Sequence, residues 1–327
     1  MSEPYFKTVH SVLDAAAVAS EVDRRFALDG PAYCELLYRG MNDVYLVRTP
    51  RDRFALRAWR TGWRSMEDVA YELDFLCFLR DRGLPIAPPV PATDETLYFT
   101  IQAPEGPRAM ALFQWAPGEK FGAAPSPEKA FEMGEIFGRI HQAALDFRPK
   151  LARPTNTVAE MQGHLPHLLR LVADRPRDVD YYAFVMERLS AALEAVDPAV
   201  APCGPNHGDF HFNNVHVADD GRITILDFDN SGEDFFLQDV MCYVWANGYA
   251  GFDEIYADRF VGGYEAARPM SAAEKAIMPL FLLAKEFRLL AGAAANVNAV
   301  GRLGLRFRDM DWFARSIRRH MADAGLA

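Results

Sequence analysis

An α+β chain of two lobes is the fold class that three features of the 327-residue sequence predict. Its first third alternates short apolar runs with turn residues. Ala116-Pro117-Gly118 breaks that pattern, and nearly everything beyond it is helical in period apart from one hairpin. Strands are expected over 33–38, 44–48 and 54–59, because these runs are separated by turn chemistry at 39–43 and 50–53. Val69, Leu73, Leu76 and Leu79 then mark an amphipathic helix, which Gly83 closes and the prolines between 85 and 91 forbid to continue. Two more strands are expected over 97–102 and 109–115. Helices follow over 128–145, twice within 157–196 around Arg175-Pro176-Arg177, and from Leu237 onward. The hairpin joins 214–217 to 222–228 through Asp219-Asp220-Gly221, an Asp-Gly turn between apolar runs. A lobe over 1–115, a hinge at 112–118 and a helical lobe over 119–327 are therefore expected, with a cleft between the lobes.

Composition narrows the function classes. Half the residues are hydrophobic and 24% are charged, which is ordinary for a globular protein. Met1-Ser2-Glu3-Pro4 is acidic with no apolar run after it, unlike a secretion leader. The apolar stretch 279–300 is interrupted by Lys285, Glu286 and Arg288, so it reads as a buried helix with a polar stripe, not a membrane span. Cys34, Cys77, Cys203 and Cys242 form no C-x-x-C pair, which argues against a structural zinc site and a disulfide framework, and a cytoplasmic location is expected. A net charge of -10 disfavours a nucleic-acid partner and is compatible with a cationic small substrate.

The chemistry concentrates in His207-Gly208-Asp209-Phe210-His211-Phe212-Asn213-Asn214 and, after it, Ile225-Leu226-Asp227-Phe228-Asp229. Asp209 and Asn214 enter the hairpin and Asp227 leaves it, so an antiparallel return brings the three together. A carboxylate that orients or deprotonates a hydroxyl, beside an amide oxygen and a second carboxylate suited to Mg²⁺, is the set that phosphoryl transfer needs. His207, His211 and His216 with Asp209 also admit a zinc or iron reading. Against it, strand alternation turns His216 away and His211 can serve as a local cap. His141, His164 and His167 read as structural or surface residues.

The H-G-D-x-H-x-x-N segment followed by a strand ending in Asp resembles the aminoglycoside phosphotransferase and choline kinase family, whose fold is similar to that of protein kinases. The likeness extends over most of the chain. Residues 112–118 resemble the lobe-connecting hinge, Gly138-Arg139-Ile140-His141 the G-x-x-H of the next helix, and Asp239 the later Asp that braces the catalytic loop. The resemblance implies ATP and Mg²⁺ as cofactors, Asp209 as catalytic base, and Asn214 and Asp227 as metal ligands. It also implies adenine contacts from the backbone of Phe113, Gln114 and Trp115. Arg57 stands where the family usually has the phosphate-pairing Lys, with Glu72 as its partner, although Glu72 also reads as a solvent-facing helix acid. Arg39-Gly40-Met41-Asn42 has one glycine where a full phosphate loop has three, so Asn42 is either a nucleotide contact or part of a plain strand turn.

In layout the chain is similar to bacterial stress-response kinases and homoserine kinases of this fold. The implied activity is transfer of the γ-phosphate of ATP to a hydroxyl of an aminoglycoside, an amino alcohol or a homoserine-like metabolite. Alternatives on the same fold are a protein Ser/Thr kinase and a nucleotide-binding pseudokinase; a metallohydrolase is the distant one. Glu233 and Asp234 either face the acceptor, favouring an amine, or are solvated turn acids.

Overall fold

The computed structural model describes residues 6–150, 157–302, 305 and 308–327. The chain divides into two compact units. One runs to Asp81 and resumes over Ile86–Pro117; the other joins Arg82–Pro85 to everything from Gly118 onward.

The first unit contains α1 (Ala15–Arg25), β1 (Tyr33–Arg39), β2 (Asp43–Arg48), β3 (Arg53–Ala58), α2 (Met66–Arg80), β4 (Phe99–Ala103) and β5 (Gly106–Gln114). The strands form one antiparallel sheet in the order β1-β2-β3-β5-β4. Its register sets Tyr45 opposite Leu56, and Leu56 opposite Leu112. These three join Val18, Val22 and Phe26 in the core. Residues two apart share a sheet face, so Leu56 and Arg57 point to opposite sides of β3.

Helix α1 is absent from the sequence expectation, which has a single helix in this region. Asp14 caps it by accepting from the Ala17 amide, and Arg24 and Arg25 complement its C-terminal end. Only Val18 and Val22 are buried along it, too narrow a stripe to read as a period. By contrast α2 buries Val69, Tyr71, Glu72, Leu73, Phe75, Leu76 and Leu79, and a Ser65–Asp68 capping box starts it.

The second unit contains β6 (Glu119–Lys120), α3 (Pro127–Ala144), α4 (Thr157–Leu171), α5 (Pro176–Glu194), β7 (Cys203–Asn206), β8 (Val215–Val217) and β9 (Ile223–Ile225). It continues through β10 (Gly232–Phe235), α6 (Phe236–Ala250), α7 (Glu254–Ala267), α8 (Ala272–Ala276), α9 (Met278–Val300) and α10 (Met310–Asp323). The expected hairpin is β8–β9, with β6 added on its free side. Its second strand ends at Ile225, shorter than expected, because Asp227 takes left-handed angles and turns the chain away. The pairing of β7 with β10 was not expected, since Cys203-Gly204-Pro205-Asn206 reads as turn chemistry. Its register sets Asn206 opposite Gly232, and so ties together the two ends of the segment 207–231 that holds the motif.

Beneath that segment, the rings of Phe137 and Phe210 stack with centroids 3.9 Å apart, and those of Tyr243 and Phe260 with centroids 4.1 Å apart. Helices α3 and α7 approach closely at Gly134, where an added Cβ would lie 2.0 Å from the Phe260 carbonyl oxygen. Among the described residues, no helix is long and apolar enough to cross a membrane. All four cysteines are free thiols.

Candidate active site

The loop from His207 to Asn214 is held mainly through its backbone. The buried Asp239 of α6 accepts from the His207 amide at 2.6 Å and from the Gly208 amide at 2.8 Å. A third donor, His141 Nε2, reaches the same carboxylate at 3.2 Å, and the Tyr264 hydroxyl donates to His141 Nδ1 at 2.8 Å. Burial alone would push the Asp239 carboxyl up, yet His141 and the backbone donors outweigh it and hold it down. His141 itself is pushed down by burial, in keeping with a neutral ring. Gly208 has φ of +82°, and a Cβ there would fall 2.2 Å from the Asn230 carbonyl oxygen.

The His207 ring joins the two halves of the motif. Its Nε2 donates to the Leu226 carbonyl at 2.8 Å, and its Nδ1 accepts from the Asp209 amide at 3.3 Å. Leu226 donates its own amide to the Asn214 carbonyl at 2.9 Å. The Asn214 side chain completes the circuit, its Nδ2 donating to the Asp209 carbonyl at 3.0 Å. Asp209 and Asn214 are thus linked directly, and Asp227 follows the residue that bonds to both His207 and Asn214.

These contacts bear on a divalent ion. Because Asn214 spends its Nδ2 on the loop, its Oδ1 is the remaining coordinating atom, and Asp227 is exposed. An amide oxygen and a carboxylate are hard donors that fit Mg²⁺ and leave positions for water and phosphate. Among the described residues, no three His, Cys, Asp or Glu side chains are grouped to hold a metal by themselves. His211 instead caps a turn of 3₁₀ helix at Phe212–Asn214, its Nδ1 accepting from the Asn213 amide at 3.2 Å.

Asp209 has an ionic partner that the sequence reading did not identify. Lys285, from the middle of α9, donates to Asp209 Oδ1 at 2.7 Å; the lysine side chain is 7% exposed and that of Asp209 35%. Burial pushes the Asp209 carboxyl up, but the charges of Lys285 and His211 and the lysine hydrogen bond hold it well below the usual carboxylate range. The Lys285 ammonium is pushed the other way: burial lowers it, and Asp209 more than offsets this. One turn further, Arg288 donates from Nε to Glu160 at 2.7 Å and from Nη1 to the Gly208 carbonyl at 3.1 Å. The polar stripe of α9 is therefore turned inward.

The two acids of β10 part company. Glu233 accepts from Lys150 at 2.7 Å, whereas Asp234 is buried and accepts from the Thr157 amide and hydroxyl at the start of α4. The reading of Asp234 as a solvated turn acid is corrected accordingly. Burial raises its carboxyl to about 6, with Thr157 and Arg288 pulling the other way.

In the first unit, Arg57 Nη1 donates to Glu72 Oε1 at 2.6 Å, with side chains 11% and 3% exposed. Glu72 is therefore a buried ion-pair partner and not a solvent-facing acid. The Arg57 guanidinium also lies 5.2 Å from the Trp59 ring centroid and 5.0 Å from that of Phe113. Asn42 is buried, and its Oδ1 accepts from the Arg60 amide at 3.3 Å while its carbonyl accepts from the Gly40 amide at 3.0 Å. Phe113 is buried, and Gln114 is exposed with its amide donating to the Pro88 carbonyl. That bond commits the Gln114 N–H, so an adenine edge would meet other groups of the 113–115 segment. Trp115 is half-buried, with the Arg53 guanidinium 5.6 Å from its ring centroid.

Comparison with known proteins supplies the family. A model of the phosphotransferase enzyme family matches residues 40–275. An uncharacterized protein of Deinococcus radiodurans is 32% identical, over 89% of this chain and 86% of its own. A homoserine kinase of a Caulobacter species is 27% identical over 73% of each chain. Among solved structures, an amicoumacin kinase aligns with TM-score 0.72 at 19% identity, covering 95% of this chain and 93% of that one. A microcompartment-associated aminopropanol kinase aligns with TM-score 0.65 at 19% identity, covering 95% and 96%. The fold is the kinase-like one of these neighbours, and the chain belongs to the phosphotransferase enzyme family, whose members are kinases that phosphorylate hydroxyl groups of small molecules.

Proposed function

We propose that this enzyme moves the γ-phosphate of ATP to the hydroxyl of a small amino alcohol, a homoserine-like metabolite or an aminoglycoside-type compound. The observation that carries the reading is Asp209: an ionised carboxylate, 35% exposed, on a loop whose backbone is tied to the side chains of Asp239, His207 and Asn214. A carboxylate held this far down is a weak base, so its contribution is to accept the hydrogen bond of the acceptor hydroxyl and aim its oxygen at phosphorus. As the new O–P bond forms and the bond to ADP breaks, the hydroxyl proton leaves to solvent. Asn214 and Asp227 would hold Mg²⁺, which supplies charge neutralisation on the phosphates.

Arg57 takes the phosphate-pairing role, and its buried bond to Glu72 supports that in place of a pseudokinase reading. Asn42 braces the turn before β2, and the 113–115 backbone meets the adenine. The relatives' names favour small acceptors over a protein Ser or Thr. The free thiols and the absence of a spanning helix among the described residues are compatible with the cytoplasmic location we propose.

ATP turnover with a panel of hydroxyl-bearing metabolites and antibiotics, read as phosphorylated product by mass spectrometry, tests the assignment. Product formation that requires Mg²⁺ and disappears in Asp209→Asn is expected. Equal turnover by the two proteins removes Asp209 from the reaction, and label appearing only in protein redirects the acceptor to Ser or Thr.

A further inference from the structure

We propose that Lys285 is a positioning residue for this transfer: its ammonium binds Asp209 Oδ1 and fixes the carboxylate so that Oδ2 is presented to the acceptor hydroxyl. The proposal rests on the reading of Asp209 as the group that aims the hydroxyl.

Three observations support it. The contact is short and direct, 2.7 Å from Nζ to Oδ1, and spans 76 residues of sequence. Its exposure is lopsided: Lys285 is 7% exposed and Asp209 is 35%. The carboxylate can be solvated without the lysine, whereas the ammonium has been taken out of water to reach it. Desolvating a lysine is costly, and a neutral side chain of similar volume would fill the same space at less cost. The gain is therefore directional. A partly exposed aspartate side chain samples several χ2 values, and an ammonium anchored on a rigid helix selects one of them.

The second grip of α9 makes the anchoring specific. Arg288, one turn on, donates to the Gly208 carbonyl, so the helix holds two consecutive loop residues, one by its backbone and one by its side chain. On the far side of the carboxylate, His211 Nε2 lies 3.7 Å from Asp209 Oδ2, beyond hydrogen-bond distance. Oδ2 thus keeps capacity for a hydroxyl while Oδ1 is engaged. Cys242 Sγ, 3.7 Å from Oδ1, packs on the lysine side.

The test compares wild type with Lys285→Met and Lys285→Arg. The probe is MgATP, with 1-amino-2-propanol and homoserine as acceptors and water as the reference acceptor, read as ADP release. Lys285→Met is expected to lower kcat roughly 10²-fold while KM for ATP stays within about twofold. Lys285→Arg, which keeps the charge and a donor, is expected to recover most of the loss. Equal kcat in wild type and Lys285→Met, or an Arg variant as slow as the Met variant, overturns the proposal.

A second measurement needs no turnover and no Lys285 variant. The ¹⁵Nζ–H resonance of Lys285, recorded in wild type and in Asp209→Asn, is expected to show a slowly exchanging ammonium whose shift and exchange rate change with Asp209. A Lys285 signal indifferent to Asp209→Asn overturns the positioning role whether or not transfer is seen. Absence of transfer by wild type to any acceptor, with the two signals still coupled, instead overturns the phosphotransfer reading.

Discussion

Each unit of the molecule pairs an aspartate with a buried long cation, and the two pairs differ in one respect. In the first unit, Asp43 Oδ2 accepts from Arg108 Nη2 at 2.7 Å and lies 3.0 Å from His10 Nε2, with both Asp43 and Arg108 at 0% exposure. Arg108 also donates to the carbonyls of Trp59, Ser11 and Ala58, so four of its five N–H groups are committed. In the second unit, Asp209 is paired just as closely but keeps 35% of its side chain open to solvent. A closed pair can only tie strands and a chain end together. An open one leaves an oxygen for a reacting molecule. Charge burial alone therefore does not distinguish the two pairs, and the exposure of the acid does.

Four substitutions can break or sharpen that contrast. Asp209→Asn should lower phosphotransfer by roughly 10²–10⁴-fold in a steady-state assay, with the fold retained because the amide oxygen still accepts from Lys285. Arg108→Met should do the opposite. It removes the cation from the buried Asp43, leaving the His10 contact, and should cost about 3–5 kcal/mol in chemical denaturation, while kcat per folded molecule is kept. An Arg108 variant that folds normally but turns over slowly would undo the distinction between the pairs.

Asp234 gives an intermediate case, because it is buried yet titrates within reach. Its carboxyl, raised to about 6 in the folded protein, binds a proton before the unfolded chain does as pH falls. The stability it contributes is thus complete below roughly pH 4 and is lost as pH rises through 6. Asp234→Asn should flatten the pH dependence of unfolding over that window by on the order of 2–3 kcal/mol. A pH profile that is unchanged would mean the acid is ionised throughout.

The smallest effect is expected at Arg57→Lys. The charge and the bond to Glu72 survive, but the planar contacts with Trp59 and Phe113 are lost, each worth about 0.5–1 kcal/mol. A modest rise in the Kd for ATP, measured by calorimetry, is the expected readout; a tighter Kd would argue that the rings hinder the cation.

What the sequence discloses depends on how local the cause is. The β8–β9 hairpin is legible because Asp219-Asp220-Gly221 specifies its turn within a few residues, and Gly221 takes the left-handed angles expected of it. Helix α2 is legible through its period. Helix α1 is not, because only two of its residues are buried and its start depends on one capping aspartate. The strand β7 is hidden by its own composition, since Gly204 and Pro205 argue for a turn until β10 arrives to pair with them. Lys285 lies at the extreme. Within α9 it is an interruption of an apolar run, and its significance comes from a residue 76 positions away that no local pattern connects to it.

The three bonds to Asp239 also bear on how the enzyme is assembled. The His207 and Gly208 amides find their acceptor on α6, and the histidine that completes it comes from α3. The conformation of the 207–214 loop therefore depends on two helices packed together, α6 through Asp239 and α3 through His141. Its amide protons should exchange with solvent only when that helical core opens.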